Sequence, residues 1–152
     1  MTYWCRDFII TLGGFDGSSD LNEVQQFVVK KNKWKALPCL PEKIGASAAT
    51  VLNDVLYNIG GMRSTNSVCW LDLLSESSKW NSVKTLGQTD FSGYHLRDAT
   101  VVKNKIVYFG SRSEKGTYVV EKGEEEGKLE VRSRFKGIDY ERGDYRSSFC
   151  TY

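Results

Sequence analysis

The side chains best able to do chemistry are few and scattered. His95 is the only histidine, so a histidine-based metal site, or a Ser-His-Asp or Cys-His mechanism, would rest on one residue that no catalytic motif flanks. Cys5, Cys39, Cys69 and Cys150 form no CxxC pair and each sits in or beside an apolar run. They read as reduced side chains in or near a core, not as zinc ligands or a redox couple. Acidic residues follow no spacing that marks a carboxylate pair, and GxGxxG, Walker and HExxH sequences are absent. No catalytic residue, metal ligand or cofactor is therefore expected. The chemistry left is recognition, by Arg, Lys and aromatic side chains in loops, since guanidinium groups pair bidentately with carboxylate and phosphate.

The elements that must carry such loops follow from composition and repetition. The chain has 152 residues, 40% hydrophobic, 12% aromatic and 26% charged, which suits one globular domain over 1–152 and excludes wholesale disorder and a coiled coil. Twenty-one basic residues against nineteen acidic ones give a net charge of +2 with both signs interspersed, so no nucleic-acid partner is expected. Apolar runs such as Phe8 to Leu12 fall far below the roughly 18 residues of a membrane-spanning helix, and Met1 to Cys5 has no basic leader region. A cytoplasmic protein without membrane contact is the expectation.

A repeat of about fifty residues organises the chain. ATVLNDVLYNIGG, Ala49 to Gly61, aligns without a gap on ATVVKNKIVYFGS, Ala99 to Ser111, at an offset of 50. FIITLGG, Phe8 to Gly14, matches Val55 to Gly61 at an offset of 47. Beyond each of these comes a polar loop and a β-rich run: EVQQFVV at 23–29, SVCWLDL at 67–73, TYVV at 117–120. A Trp with an apolar tail follows at Trp34 and Trp80, and KLEVRSRF at 128–135 stands in its place in the third copy. Each unit reads as four short strands separated by Gly, Asn, Asp, Ser and Lys, with no helical period over ten residues or more. The fold is all-β, and four strands in 46 to 50 residues are the signature of one propeller blade.

At VLYNIGG (55–61), Trp70 and Trp80 the sequence resembles the kelch repeat family, whose blades place a diglycine after the second strand, an aromatic in the third and a Trp at the opening of the fourth. The resemblance extends over roughly residues 8 to 135, in units of about 8–46, 47–96 and 97–144. The third unit is degenerate, keeping Gly110 with Ser111 in place of the second glycine. The structural residues on this reading are Gly13, Gly14, Gly60, Gly61 and Gly110, which allow a sharp turn and close backbone approach, and Trp34, Trp70 and Trp80, which fill the space between blades. Alanine at a fully buried Trp would cost about 3–5 kcal/mol. Trp4 has no place in the pattern.

Counting strands raises a question of closure. On this count the chain starts almost directly at a second strand, Phe8 to Leu12, while 145–152 offers a further innermost strand, which makes about three four-stranded antiparallel blades. Closed propellers have roughly four to eight blades, so this one is incomplete and open. It is a fragment of a longer chain, the favoured reading, or copies self-associate to complete the ring, or something else caps it.

The resemblance implies a protein-binding module that takes a protein or peptide on the loops at one end of the blades, as a substrate-recognition part of a ubiquitin-ligase adaptor or as an actin binder. Positions after each diglycine and before each innermost strand are the candidate contacts: Phe15, Asp16, Met62, Arg63 and Arg112, with Lys43, Tyr94, His95 and Arg97. Their cationic and aromatic character suits an acidic or phosphorylated peptide. The alternatives are part of a galactose-oxidase-like or sugar-isomerase-like propeller enzyme, disfavoured by the single histidine, and a nonfunctional remnant.

Overall fold

The computed structural model describes residues 2–4, 7–61, 68–86, 98–109, 116–122 and 128–136. They form twelve strands and one short 3-10 turn at Val29–Lys31. The first sheet contains β1 (Thr2–Trp4), β2 (Phe8–Phe15), β3 (Asp20–Val28) and β4 (Lys33–Leu37). The second contains β5 (Ala48–Leu52), β6 (Val55–Ile59), β7 (Val68–Asp72) and β8 (Asn81–Leu86). A third set of four contains β9 (Asp98–Val102), β10 (Lys105–Phe109), β11 (Gly116–Lys122) and β12 (Lys128–Lys136), and because β12 pairs with β8 the second and third sets make one eight-stranded sheet. Within each set of four, neighbours in sequence pair antiparallel, giving three blades in an open, all-β arrangement. Among the described residues no helix is long and apolar enough to cross a membrane.

The first blade corrects the expected strand count. Thr2, Tyr3 and Trp4 pair with Thr11, Ile10 and Ile9, so an innermost strand precedes Phe8 and Trp4 belongs to it. Strand order is thus inner to outer in all three blades, not permuted. The candidate strand at 145–152 and residues Gly110 and Ser111 lie outside the described residues.

Matching turns connect the inner strands of the second and third blades. Asn53 and Asp54, at φ 50° and 60°, join β5 to β6, and Lys103 and Asn104, at φ 48° and 62°, join β9 to β10. Two successive left-handed residues make a two-residue turn whose twist matches the strands it joins. That explains why the 50-residue offset runs without a gap through both hairpins.

The second blade is covered on both sides, and the two-residue period of a strand separates the two contacts. Ala49, Leu56, Cys69 and Leu71 share one face and bury themselves with Ile10, Leu12, Val24 and Leu40 of the first blade and its outgoing connection. Ala48, Ile59 and Val68 occupy the other face and pack with Ala99, Ile106 and Tyr108 of the third blade. Burial on both faces is why AATVL in β5 shows no hydrophobic alternation. The inner strands β5 and β9 lie side by side, and β8 and β12 are joined by a short parallel ladder, Lys84 to Lys128 through Leu86 to Glu130. Two outer edges thereby satisfy each other's backbone groups, a contact not foreseen for separate blades.

The tryptophans part company with expectation at one position. Trp70 packs against the core between the second and third blades. Trp80 packs against the core between the first and second, and its indole N–H donates to the Pro38 carbonyl at 2.7 Å. Trp34 is 55% exposed and touches Phe27 with ring centroids 5.2 Å apart, so it does not fill a gap between blades. The reason is positional: Trp34 lies on the face of the first blade that points away from the second. Cys69 is buried as expected, whereas Cys39 is exposed in the connection after β4.

Candidate binding surface

The described part of the candidate surface is built around the connection 38–47, which carries the chain from the outer strand β4 back to the inner strand β5. Leu40 N–H donates to Asn22 O at 2.8 Å, Ile44 N–H donates to Leu21 O at 2.9 Å, and Gly14 N–H donates to Ile44 O at 3.0 Å. The Asn22 side-chain amide adds a longer bond to Leu40 O at 3.4 Å. The connection is thereby laid across the end of the β2–β3 hairpin.

Glycine is required where this happens. Gly13 and Gly14 adopt φ 51° and 116° beside a β-bulge, and a Cβ on Gly13 would run into the backbone oxygen of Ile44. In the second blade Gly60 and Gly61 adopt φ 67° and 138°, and a Cβ on Gly61 would collide with the Ile44 side chain. Ile44 is 3% exposed, wedged between the turn glycines of two blades. The loop after β2, the connection 38–47 and the start of the segment after β6 therefore converge at one end of the seam.

Phe15, Asp16 and Lys43 meet at that end. Phe15 is 64% exposed, a large apolar side chain held out by the turn that follows it. Asp16 closes the turn: its Oδ1 accepts the Ser18 and Ser19 N–H groups at 2.7 and 2.8 Å. Those bonds from Ser19 and Ser18, aided by the positive charge of Lys43, hold its carboxyl below the ordinary value of 3.8, against the smaller opposing effect of desolvation. The Asp16 carboxylate thus shapes the loop, while Phe15 and Lys43 stay exposed. A carboxyl with a lowered value in the folded state favours folding above its unfolded value, and that contribution fades as pH drops through the folded one. An NMR titration of the Asp16 carboxyl is expected to show a midpoint below 3.8. Asp16→Ala should abolish amide-exchange protection at Ser18 and Ser19 while leaving the strands protected.

Met62, Arg63, Tyr94, His95, Arg97 and Arg112 lie outside the described residues. Met62 and Arg63 directly follow Gly61 in sequence, and Arg97 directly precedes β9. The described rim also carries acids: Glu42 beside Lys43, and Asp20, whose carboxylate lies against Gly45. Ile44, which organises the end of the seam, was not among the expected residues, because an isoleucine in a proline-bounded loop carries no motif.

A cavity of about 60 Å³ opens on the same seam, lined by Pro41, Glu42, Ile44, Val68, Cys69 and Ser82. It is well short of the roughly 300–1,000 Å³ of small-molecule sites. Burial pushes the Cys69 thiol up to about 11, so the thiol stays protonated near neutrality and is a poor nucleophile. Among the described residues no three of His, Cys, Asp and Glu come together as metal ligands.

Comparison with known families fits this geometry. The Kelch motif model matches residues 9–41, from within β2 through β4 to the Leu40–Pro41 anchor. The first blade matches the kelch motif. No curated protein matches the chain. The kelch match supports the resemblance quoted from the second blade, where Gly60, Gly61, Trp70 and Trp80 stand in the same order. The motif over residues 9–41 suggests a protein-binding repeat module.

Proposed function

We infer that the chain binds an acidic or phosphorylated peptide segment of a partner protein at the loop end of its blades, without doing catalysis. The observation that carries this is the convergence on Ile44 of two described loops and the start of a third, with Phe15 and Lys43 exposed beside it. Phe15 offers an apolar anchor, and exposed aromatic anchors beside cationic side chains are the common composition of protein-recognition surfaces. Lys43 supplies charge for carboxylate or phosphate, and Arg63 and Arg97, which in sequence follow Gly61 and precede β9, are the further cations this reading assigns to the surface.

Of the roles that likeness to kelch proteins implies, substrate recognition for a ubiquitin ligase fits such a surface best, and actin binding is the second. The test is a panel of fluorescein-labelled peptides, acidic, phosphoserine-containing and neutral, read by anisotropy. Acidic or phosphorylated peptides are expected to bind, with affinity falling as salt is raised. Lys43→Ala should weaken binding about threefold, and the pair Arg63→Ala and Arg97→Ala tenfold or more, equivalent to ~1.4 kcal/mol. Equal binding of neutral peptides, or unchanged binding by the Arg pair, would overturn the reading. Cosedimentation with filamentous actin separates the two roles.

A further inference from the structure

The second blade has one face covered by the preceding blade and the other by the following one, so the blades themselves show what a covered face looks like. The face of the second blade turned to the first carries the cross-strand row Leu56, Leu71 and then Trp80, whose indole N–H reaches back to the Pro38 carbonyl of the preceding blade's exit. By the repeat offset of 47, Leu56 corresponds to Ile9. Register extends the match: Ile9 pairs with Phe27 and Phe27 with Trp34. The third blade uses the same position, since Ile106, 50 residues beyond Leu56, is 1% exposed against the second blade. The row Ile9–Phe27–Trp34 is thus the surface that in both other blades receives a preceding blade, and in the first it faces outward with Trp34 55% exposed.

The opposite end of the arc is its complement. Leu52 and Tyr57 of the second blade pack against the core it shares with the third. Their equivalents 50 residues on are Val102 and Val107. Val102 is 45% exposed, on the face of the third blade turned away from the second.

We propose that the outward face of the first blade, Ile9, Phe27 and Trp34, docks the Val102 and Val107 face of the third blade of a second copy. Two such head-to-tail contacts related by a two-fold axis join two three-blade arcs into a closed ring of six, inside the roughly four to eight blades over which propellers close.

The test is the light-scattering mass of the full 152-residue chain and of Trp34→Lys and Val102→Lys variants, each checked for an unchanged β-type circular dichroism spectrum. A chain mass of twice 17.2 kDa, falling to the monomer in either variant, is the expected result. The single variants when mixed should stay monomeric or form one-contact pairs, because a closed ring needs both faces on both copies. A wild-type monomer, a dimer that survives Trp34→Lys, or open multiples larger than two would each overturn the proposal. Trp34→Lys alters an exposed side chain, so loss of the dimer with an intact fold distinguishes docking from unfolding.

Discussion

Leu56→Ala is expected to lower the stability of the chain by about 2–5 kcal/mol. Leu56 is 0% exposed in the core between the first and second blades, where Ile10, Leu12, Val24, Leu40 and Leu71 leave it no solvent-facing side. Removing three carbons there forfeits their transfer free energy and leaves a void that two sheets can only partly close. The total stability of a domain this size is about 5–15 kcal/mol, so the loss should be plain in urea unfolding as a lower midpoint with little change in slope. Trp34→Ala in the monomeric state should cost far less despite the larger side chain, since much of that ring already meets water. A similar cost for the two substitutions would contradict the packing described for the seam.

The second large effect is expected at Gly13→Ala. The left-handed backbone at φ 51° costs a residue with a Cβ about 1–2 kcal/mol. The new methyl group would also meet the backbone oxygen of Ile44, which cannot swing aside as a side-chain tip would, and overpacking of that kind adds about 1–3 kcal/mol. Ile44 O is also the acceptor for Gly14 N–H, so the methyl would force apart the bond that pins the connection. Gly14→Ala is the comparison: at φ 116° the backbone is the more strained for a residue with a Cβ, but a Cβ there meets nothing within 4 Å. If the collision with Ile44 sets the cost, chemical denaturation should place Gly13→Ala below Gly14→Ala, and the reverse order would show that backbone strain outweighs the collision.

Much of the blade architecture was legible in the sequence because its causes are local. The offset of 50 between Ala49 and Ala99 survives since each copy needs the same two-residue turn, filled by Asn53-Asp54 and Lys103-Asn104. The diglycines were readable because positive φ and close approach leave few other choices. Other features depend on neighbours that a residue's own identity does not report. Trp34 and Trp80 open equivalent strands, yet among the described residues only Trp80 has a neighbouring blade packed against it, so residue type predicted its environment and misplaced that of Trp34. The strand Thr2–Trp4 is three residues long and is defined by its pairing with β2, with no pattern of its own. At the candidate surface, Phe15, Asp16 and Lys43 could be named from their place after the diglycine and before an inner strand. That Asp16 would be taken up in closing its own turn could not be read, because it depends on where the Ser18 and Ser19 amides point.

The wedging of Ile44 between two turns has a thermodynamic reading. The same residue holds the loop that presents Phe15 and completes the contact between neighbouring blades, so the geometry offered to a ligand exists only while those blades are docked. A peptide held by Phe15 and Lys43 would then favour the docked state, by about 2.7 kcal/mol at a ligand concentration one hundred times its Kd. The coupling is reciprocal: whatever tightens the seam raises affinity at the loops by the same factor, and whatever loosens it lowers that affinity. Occupancy at the rim and cohesion between the sheets are in that sense one equilibrium, with Ile44 as the part they share.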